Sequence, residues 1–194
     1  MEKERNSQPI QCKTEQYEAT VSVEEYMEKC VDVPTFLECC KKCGNYEKIW
    51  SCPSYDFNPE DYWRKYQTFH IVGMKIYVPE DLLSQTFEEE ERNEYMKSIV
   101  FPHKKELDDQ LWAMEQQTHG SIALSAGSCQ NCPPEGCTRP EGKQCRHPER
   151  MRYSIESLGG NVGLTVTKYL KQELLWMEEG KLPEYFILVG GLLV

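Results

Sequence analysis

The spacing of apolar residues along the chain predicts four β-strands. Between Phe69 and Val78, apolar side chains recur at every second position after His70, which places them on one face of a strand that Pro79 ends. The final run, YFILVGGLLV, is apolar without alternation, as expected for a strand buried on both faces. The predicted strands cover residues 69–78, 121–126, 162–166 and 185–194.

The helices predicted around these strands have recognisable start and stop signals. Ser22 is suited to cap the helix that follows it, and Pro34 and Pro59 stand where short helices begin. Pro102 is expected to break or kink the longest helix, and Gly120 is suited to end it. The predicted helices cover residues 23–31, 35–43, 58–66, 86–118, 149–158 and 168–178.

The order of these elements favours an α+β fold. Two successive split βαβ units would form a ferredoxin-like sandwich with a cysteine-rich metal-binding loop and an N-terminal helical cysteine motif. We expect residues 17–194 to form a single metal-binding domain. The polar residues 1–16 are expected to form a loosely ordered extension.

The net charge and the two ends of the sequence indicate where the protein is located and which classes of partner it binds. The formal net charge is −10, so the chain as a whole repels nucleic acid, and no basic stripe offsets this. The N-terminus, MEKERNSQPIQC, lacks the apolar core of a signal peptide, and the apolar C-terminal run is too short for a membrane helix. We therefore expect a cytoplasmic protein with neither membrane nor nucleic acid among its partners.

In a reducing compartment, the ten cysteines indicate metal ligation or redox chemistry rather than disulfides. Two groups contain eight of them. The sharper group has the spacing C-x2-C-x4-C-x7-C, in a loop rich in Pro and Gly whose turns release backbone N–H groups toward metal-bound sulfur. Its predicted ligands are Cys129, Cys132, Cys137 and Cys145.

Four thiolates in so short a loop indicate one metal centre, and their spacing favours iron–sulfur over zinc. A structural zinc site usually uses two close pairs of ligands, about two to four residues apart within each pair. This loop has one close pair and then two staggered cysteines, which suits the separate corners of a 4Fe-4S cluster. Zinc, or four unrelated buried cysteines, are the alternatives.

The other group has the pattern C-x2-C-G-x-Y-x3-W-x-C-P and supplies three predicted ligands, Cys40, Cys43 and Cys52. Because adjacent side chains diverge, we interpret Cys39 as an ordinary buried thiol beside Cys40. Three ligands leave one position open for another residue, water, a substrate or a distant cysteine. Trp50, Tyr46 and Tyr55 are expected to shield this centre from water.

Both motifs resemble those of a known family. The stretches VEEYMEKCVDVPTFLECCKKCGNYEKIWSCPSYDF, GSCQNCPPEGCTRPEGKQCRHPERMRYSIESLGGNV and LPEYFILVGGLLV are similar to the family labelled "predicted metal-binding protein". The label implies metal binding and states no reaction. Position by position, the resemblance implies the same seven cysteines as ligands. The chain departs from the family pattern at Cys39, where an aromatic residue is expected, and at Ser54, where a second proline is usual.

Five cations surround the last two cysteines of the second motif, although the chain is acidic overall. They could offset the charge of a four-thiolate cluster, hold an anionic substrate or partner, or only keep the loop soluble. His147 could ligate or donate to the cluster, although an ordinary loop role is the simpler interpretation. The five cations are Arg139, Lys143, Arg146, Arg150 and Arg152.

Three functional hypotheses of different classes follow. The favoured one is a redox or electron-transfer protein that carries one or two 4Fe-4S clusters and meets a redox partner protein. The second is an enzyme that binds its substrate at the open iron of a three-cysteine cluster. The third is an interaction module stabilised by zinc. The sequence has no phosphate loop, dinucleotide fingerprint or serine nucleophile elbow that would point to another chemistry.

Overall fold

The computed structural model describes residues 10–194, and an antiparallel sheet of four strands lies at their centre. The strands lie in the order β1-β2-β4-β3. Their bounds are β1 Thr14–Ser22, β2 Thr68–Tyr77, β3 Ile122–Leu124 and β4 Tyr185–Leu193. The predicted α+β class is confirmed, and β2, β3 and β4 correspond to three of the predicted strands.

Helices connect the strands, and several begin where the sequence predicts. The hydroxyl of Ser22 caps α1 by accepting the Glu25 N–H, and Asp32 and Asn58 cap α2 and α3 in the same way. The α-helices of the described residues are α1 Val23–Cys30, α2 Val33–Lys41, α3 Pro59–Trp63, α4 Glu80–Leu83, α5 Glu89–Gln117 and α6 Val162–Thr165. Shorter turns are the 3-10 helices Arg139–Glu141 and Glu156–Leu158 and the π-helix Val166–Leu170.

Hydrophobic cores cover both faces of the sheet, because β2 and β4 are buried on each side. Ile71 of β2 joins a core with residues of α1 and α3, whereas Ile76 of the same strand joins a core with residues of α5. In β4, Val189 belongs to the first core and Leu192 to the second. The burial predicted for both faces of the C-terminal strand is therefore confirmed.

The strand predicted at residues 162–166 is wrong, because these residues are helical. The side chain of Asn161 caps α6 by accepting the Leu164 N–H at 2.9 Å. The hydroxyl of Thr165 is buried against Tyr26, 2.7 Å away. Capping and this buried contact outweigh the strand preference of the β-branched residues. The predicted helix 168–178 ends early, since Lys171 adopts a φ of 55°.

One split βαβ unit is present rather than two. Strands β2 and β3 run parallel with β4 between them, and α5 lies in their connection. Strands β1 and β4 also run parallel on either side of β2, but they lie at opposite ends of the chain and no crossover joins them directly. The second unit of the predicted ferredoxin-like arrangement needed the strand at 162–166.

Strand β1 begins within the segment that the sequence assigns to an extension. It pairs with β2 along its whole length, from Thr14 opposite Ile76 to Ser22 opposite Thr68. As an edge strand it alternates between exposed and half-buried positions, with Tyr17, Ala19 and Val21 on the half-buried face. The extension predicted over residues 1–16 is therefore wrong for residues 14–16, and residues 1–9 lie outside the described residues.

Helix α5 continues through Pro102, so the predicted break there is wrong. Ile99 before the proline and Leu107 after it are both fully buried, and this packing keeps the two halves in one helix. The helix predicted at 149–158 is also wrong, except for the 3-10 turn Glu156–Leu158. Within residues 10–194, no helix combines the length and the hydrophobicity needed to cross a membrane, the 29-residue α5 included.

We expect Gly191→Ala to destabilise the fold, because β4 lies very close to its partner strand β2 at this position. A Cβ at this position would lie 2.3 Å from the carbonyl oxygen of His70 and 2.6 Å from the ring of Phe69. Overpacking of this kind costs about 1–3 kcal/mol of unfolding free energy, measured by urea denaturation. Gly44→Ala is the control, since no heavy atom lies within 4 Å of its new Cβ. Equal stability of the two variants would contradict the packing described for β4.

Candidate metal centre

The second cysteine motif lies on the irregular loop that follows β3. Its four cysteines are all half-buried and line one cavity of about 510 Å³. Ile49 and Trp50, from the first cysteine motif, form part of the wall of the same cavity. The structure therefore brings together the four residues that the sequence groups as ligands: Cys129, Cys132, Cys137 and Cys145.

Backbone N–H groups are directed at two of these sulfurs. Burial raises the pKa of Cys129, and the Asn131 N–H that bonds to the thiol acts in the opposite direction. Burial likewise raises the pKa of Cys145, and the His147 N–H counteracts it. His147 thus donates to sulfur through its backbone. Such donors stabilise thiolate charge, as the turn-rich composition of the loop predicts.

The first motif places its three predicted ligands near one another, at the end of α2 and in the turns that follow. The Cys43 N–H donates to the Cys40 carbonyl at 2.9 Å, and the Cys52 N–H to the Ile49 carbonyl at 3.0 Å. Burial is the main cause that raises the pKa of Cys52 to about 11, and the neighbouring thiols of Cys43 and Cys40 act in the same direction. Cys39 is exposed rather than buried as predicted, and Cys43 is exposed as well. Cys40 lines a cavity with Pro53, the neighbour of Cys52, which favours Cys40 over Cys39 as the ligand.

The thiols of each motif are neighbours without forming a closed ligand set. Within residues 10–194, no three His, Cys, Asp or Glu side chains are arranged to hold a metal ion. Cys40 lines a separate cavity of about 190 Å³, together with Tyr46, Tyr55 and Glu156. The cysteine thiols of both motifs nevertheless have the chemistry of ligands for a soft metal, because thiolates favour iron–sulfur clusters and zinc. Tyr46 and Tyr55 lie beside the first motif as predicted, whereas Trp50 lines the cavity of the second.

Arg139 joins the two motifs. Its guanidinium donates to the carbonyl oxygens of Ile49 at 2.9 Å and Ser54 at 2.6 Å, and also to those of Cys52 and Pro53. The Ile49 and Pro53 carbonyls also accept backbone N–H groups, from Cys52 and Glu47, so the guanidinium adds side-chain donors to turns that the backbone satisfies only in part.

Further contacts tie the same segments together. The Ser51 hydroxyl accepts the Cys129 N–H at 2.9 Å, and the Trp50 indole donates to the Thr138 hydroxyl at 3.3 Å. The two motifs therefore form one structural unit, although about ninety residues separate them in sequence.

The other four cations of the predicted patch also have partners within the protein. Arg150 pairs with Asp109 and lies over the ring of Trp112, and Arg152 pairs with Glu115. Arg146 donates to the Gly136 carbonyl, and Lys143 pairs with Glu141 at 2.7 Å. These contacts hold the loop in shape, a role that the sequence interpretation did not include. They leave little support for a patch that grips an anionic substrate.

Glu156 is a polar residue that the sequence reasoning missed. The residue as a whole is half-buried, but its Oε2 atom is enclosed and has no hydrogen-bond partner among the described residues. Burial raises the pKa of its carboxyl group. Nothing in the sequence marks this glutamate, because its position beside Cys40 depends on how residues 154–161 pack against α2.

The sequence profile of a family described as "Predicted metal-binding protein (DUF2284)" matches residues 26–194. The chain belongs to this family. The match includes both cysteine motifs and strands β2, β3 and β4, and it starts inside α1, after β1. Metal binding is thus the predicted property of the family, and its description states neither the metal nor a reaction. No curated protein and no solved structure matches the chain.

We expect Arg139→Lys to loosen the contact between the motifs of this family member. The ammonium of lysine keeps the positive charge, but it cannot donate to all four carbonyls at once as the forked guanidinium does. The unfolding free energy should fall by about 1.5–3 kcal/mol in urea denaturation of the metal-free protein.

Lys143→Met provides the matched control, because it removes a cation from the same loop. Its pair with Glu141 is largely exposed, so its loss should cost less than about 1 kcal/mol. If both substitutions cost equally little, Arg139 does not hold the motifs together.

Proposed function

We propose that this chain is an iron–sulfur protein with a role in electron transfer. A 4Fe-4S cluster would be held by the four cysteines of the second motif, Cys129, Cys132, Cys137 and Cys145. The observation that carries the proposal is that all four line one cavity, with backbone N–H groups directed at two of the sulfurs. Thiolate ligands and N–H donors to sulfur are the features by which proteins hold such clusters and set their potentials.

The size of the cavity favours a cluster over a zinc ion. Four sulfurs around one zinc ion lie about 2.3 Å from it and leave no space between them. The cysteines of the second motif instead border about 510 Å³. A cavity bordered by all four cysteines leaves room for a cluster, which supports iron–sulfur over a single zinc ion.

The surroundings of the cavity suit exchange of electrons with a partner protein. Four cysteine ligands leave no iron free to bind a substrate, so such a cluster passes electrons or stabilises the loop. Exposed residues, Gln130, Pro133 and Gly136 among them, form part of the cavity wall. The proposed cluster would therefore lie close to the protein surface. All ten cysteines, each within the described residues, are free, which suits the reducing cytoplasm that we propose as the location.

A second candidate function is an enzyme that uses the first motif. A cluster held by Cys40, Cys43 and Cys52 would have one iron free to act as a Lewis acid. The cavity of about 190 Å³ beside Cys40 favours this candidate, since it could admit a small ligand. The third candidate, a zinc-stabilised module, would hold metal on the same cysteines without redox chemistry.

Protein purified without oxygen should be brown, with absorption near roughly 400 nm and about four irons and four sulfides for each cluster. Cys132→Ala should remove the iron of the second motif and destabilise its loop, because metal binding is coupled to folding. Cys12→Ala is the control and should keep the full iron content, since Cys12 lies outside both motifs. Colourless anaerobic protein that holds zinc would overturn the iron proposal and leave the zinc module.

The same measurement should separate the two adjacent cysteines of the first motif. Cys40→Ser should lower the iron content of the first centre, because this half-buried thiol lies near Cys43 and Cys52. Cys39→Ser should leave it unchanged, because adjacent side chains of α2 point in different directions and Cys40 is the one that lines the cavity. Iron loss with Cys39→Ser alone would reverse the assignment.

A further inference from the structure

The segment that carries Glu156 is held rigidly against the start of α2. The Asp32 N–H donates to the Gly159 carbonyl at 2.8 Å, and the Asn161 N–H donates to the Cys30 carbonyl at 2.7 Å. Gly159 has a φ of +84°, and a Cβ there would lie 2.7 Å from the Cα of Val33. This close approach brings the 3-10 helix Glu156–Leu158 directly beside α2, the helix on which Cys40 lies.

The carboxyl group of Glu156 is fixed in position but incompletely satisfied. Ser154 and the backbone N–H of Glu156 itself bond to it, yet Oε2 is enclosed and has no hydrogen-bond partner within residues 10–194. The cation that acts on the carboxylate is Lys104, and Lys104 is paired with Asp108. An enclosed carboxylate oxygen without a partner is unfavourable in a folded protein unless something else binds it.

The surroundings of this carboxyl group are those of the first cysteine motif. Glu156 and Cys40 line the same cavity of about 190 Å³, and Pro53, directly after Cys52, lines it too. A carboxyl oxygen without a donor and a cysteine thiol in one cavity form a pair of ligand atoms suited to a metal ion.

We propose that the carboxylate of Glu156 is the fourth ligand of the first metal centre, beside Cys40, Cys43 and Cys52. This proposal rests on the proposed function, which supplies the iron of that centre. A metal ion would satisfy the unpartnered oxygen. Cys39 is a poorer candidate, because adjacent side chains of a helix point in different directions and Cys40 is the one that lines the cavity. With four protein ligands, the first centre has no open iron, and the enzyme hypothesis loses its binding position there.

Glu156→Gln tests the assignment, because it keeps the shape of the side chain and removes the charge. In anaerobically purified protein with two clusters, iron and sulfide per chain should fall to about half, and the electron paramagnetic resonance signal of one reduced cluster should disappear. Glu38→Gln is the matched control. It removes an exposed glutamate from α2, the helix that carries Cys40, and should keep both signals.

Glu156→Cys separates ligation from a structural role. A thiolate at this position should keep the full iron content and shift the resonance signal of the first cluster, because the ligand atom changes from oxygen to sulfur. If Glu156→Gln fails to fold, the result for Glu156→Cys decides whether Glu156 is a ligand. Folded Glu156→Cys protein with an unshifted signal, or without the first cluster, would show that Glu156 is not a ligand.

The outcomes distinguish a failure of this proposal from a failure of the proposed function. Wild-type iron content in all three variants Cys40→Ser, Cys43→Ser and Cys52→Ser would show that the first metal centre does not exist. Glu156 could then not be its ligand. If these variants lose iron while Glu156→Gln keeps wild-type iron and an unchanged signal, the ligand assignment alone is wrong.

Discussion

Four carbonyl oxygens at the end of the first cysteine motif converge on the guanidinium of Arg139, and the cavity between the motifs depends on this contact. Backbone N–H groups of the same turns reach the Ile49 and Pro53 carbonyls, and Arg139 supplies donors to the Cys52 and Ser54 carbonyls as well. Arginine supplies several N–H groups in one rigid fork, which suits it to this task. Because Arg139 lies between Cys137 and Cys145, placing it also places the second motif. Trp50 then completes the wall of the cavity that this motif lines.

Helix α5 anchors the other side of the cysteine loop through two acidic residues, Asp108 and Glu115. Asp108 accepts the Ala126 N–H at 3.0 Å, and Glu115 accepts the Ala123 N–H at 2.8 Å, so both hold the chain where it enters the loop. Glu115 also pairs with Arg152, where the chain leaves the loop. The loop is thus fastened at both ends to a helix that is packed against the sheet. A loop without regular secondary structure can hold four cysteines at one cavity because its ends are fixed in this way.

The sequence predicted the features that depend on local patterns, and it failed where distant contacts decide. Strand β4 could be recognised from its apolar run, α1 from Ser22, and the grouping of the cysteines from their spacing. Residues 162–166 were misassigned because the burial of Thr165 against Tyr26 involves a residue 139 positions away. Strand β1 was missed although Tyr17, Ala19 and Val21 alternate with polar residues, because the alternating stretch is short and adjoins the polar N-terminal residues. The roles of Arg139 and Glu156 depend on which backbone groups and cavities lie beside them, and no local pattern contains that information.

The partners of the basic residues bear on how the proposed cluster would behave. Arg150 and Arg152 are neutralised by carboxylates of α5, and Arg146 and Lys143 are engaged within the loop. Few cations are therefore free to offset the charge of four thiolates, and the chain as a whole carries a net charge of −10. Stabilisation of the sulfurs then rests on backbone N–H groups such as those of Asn131 and His147. Because uncompensated negative charge around a cluster makes its reduction less favourable, this arrangement would favour a low reduction potential for the proposed cluster.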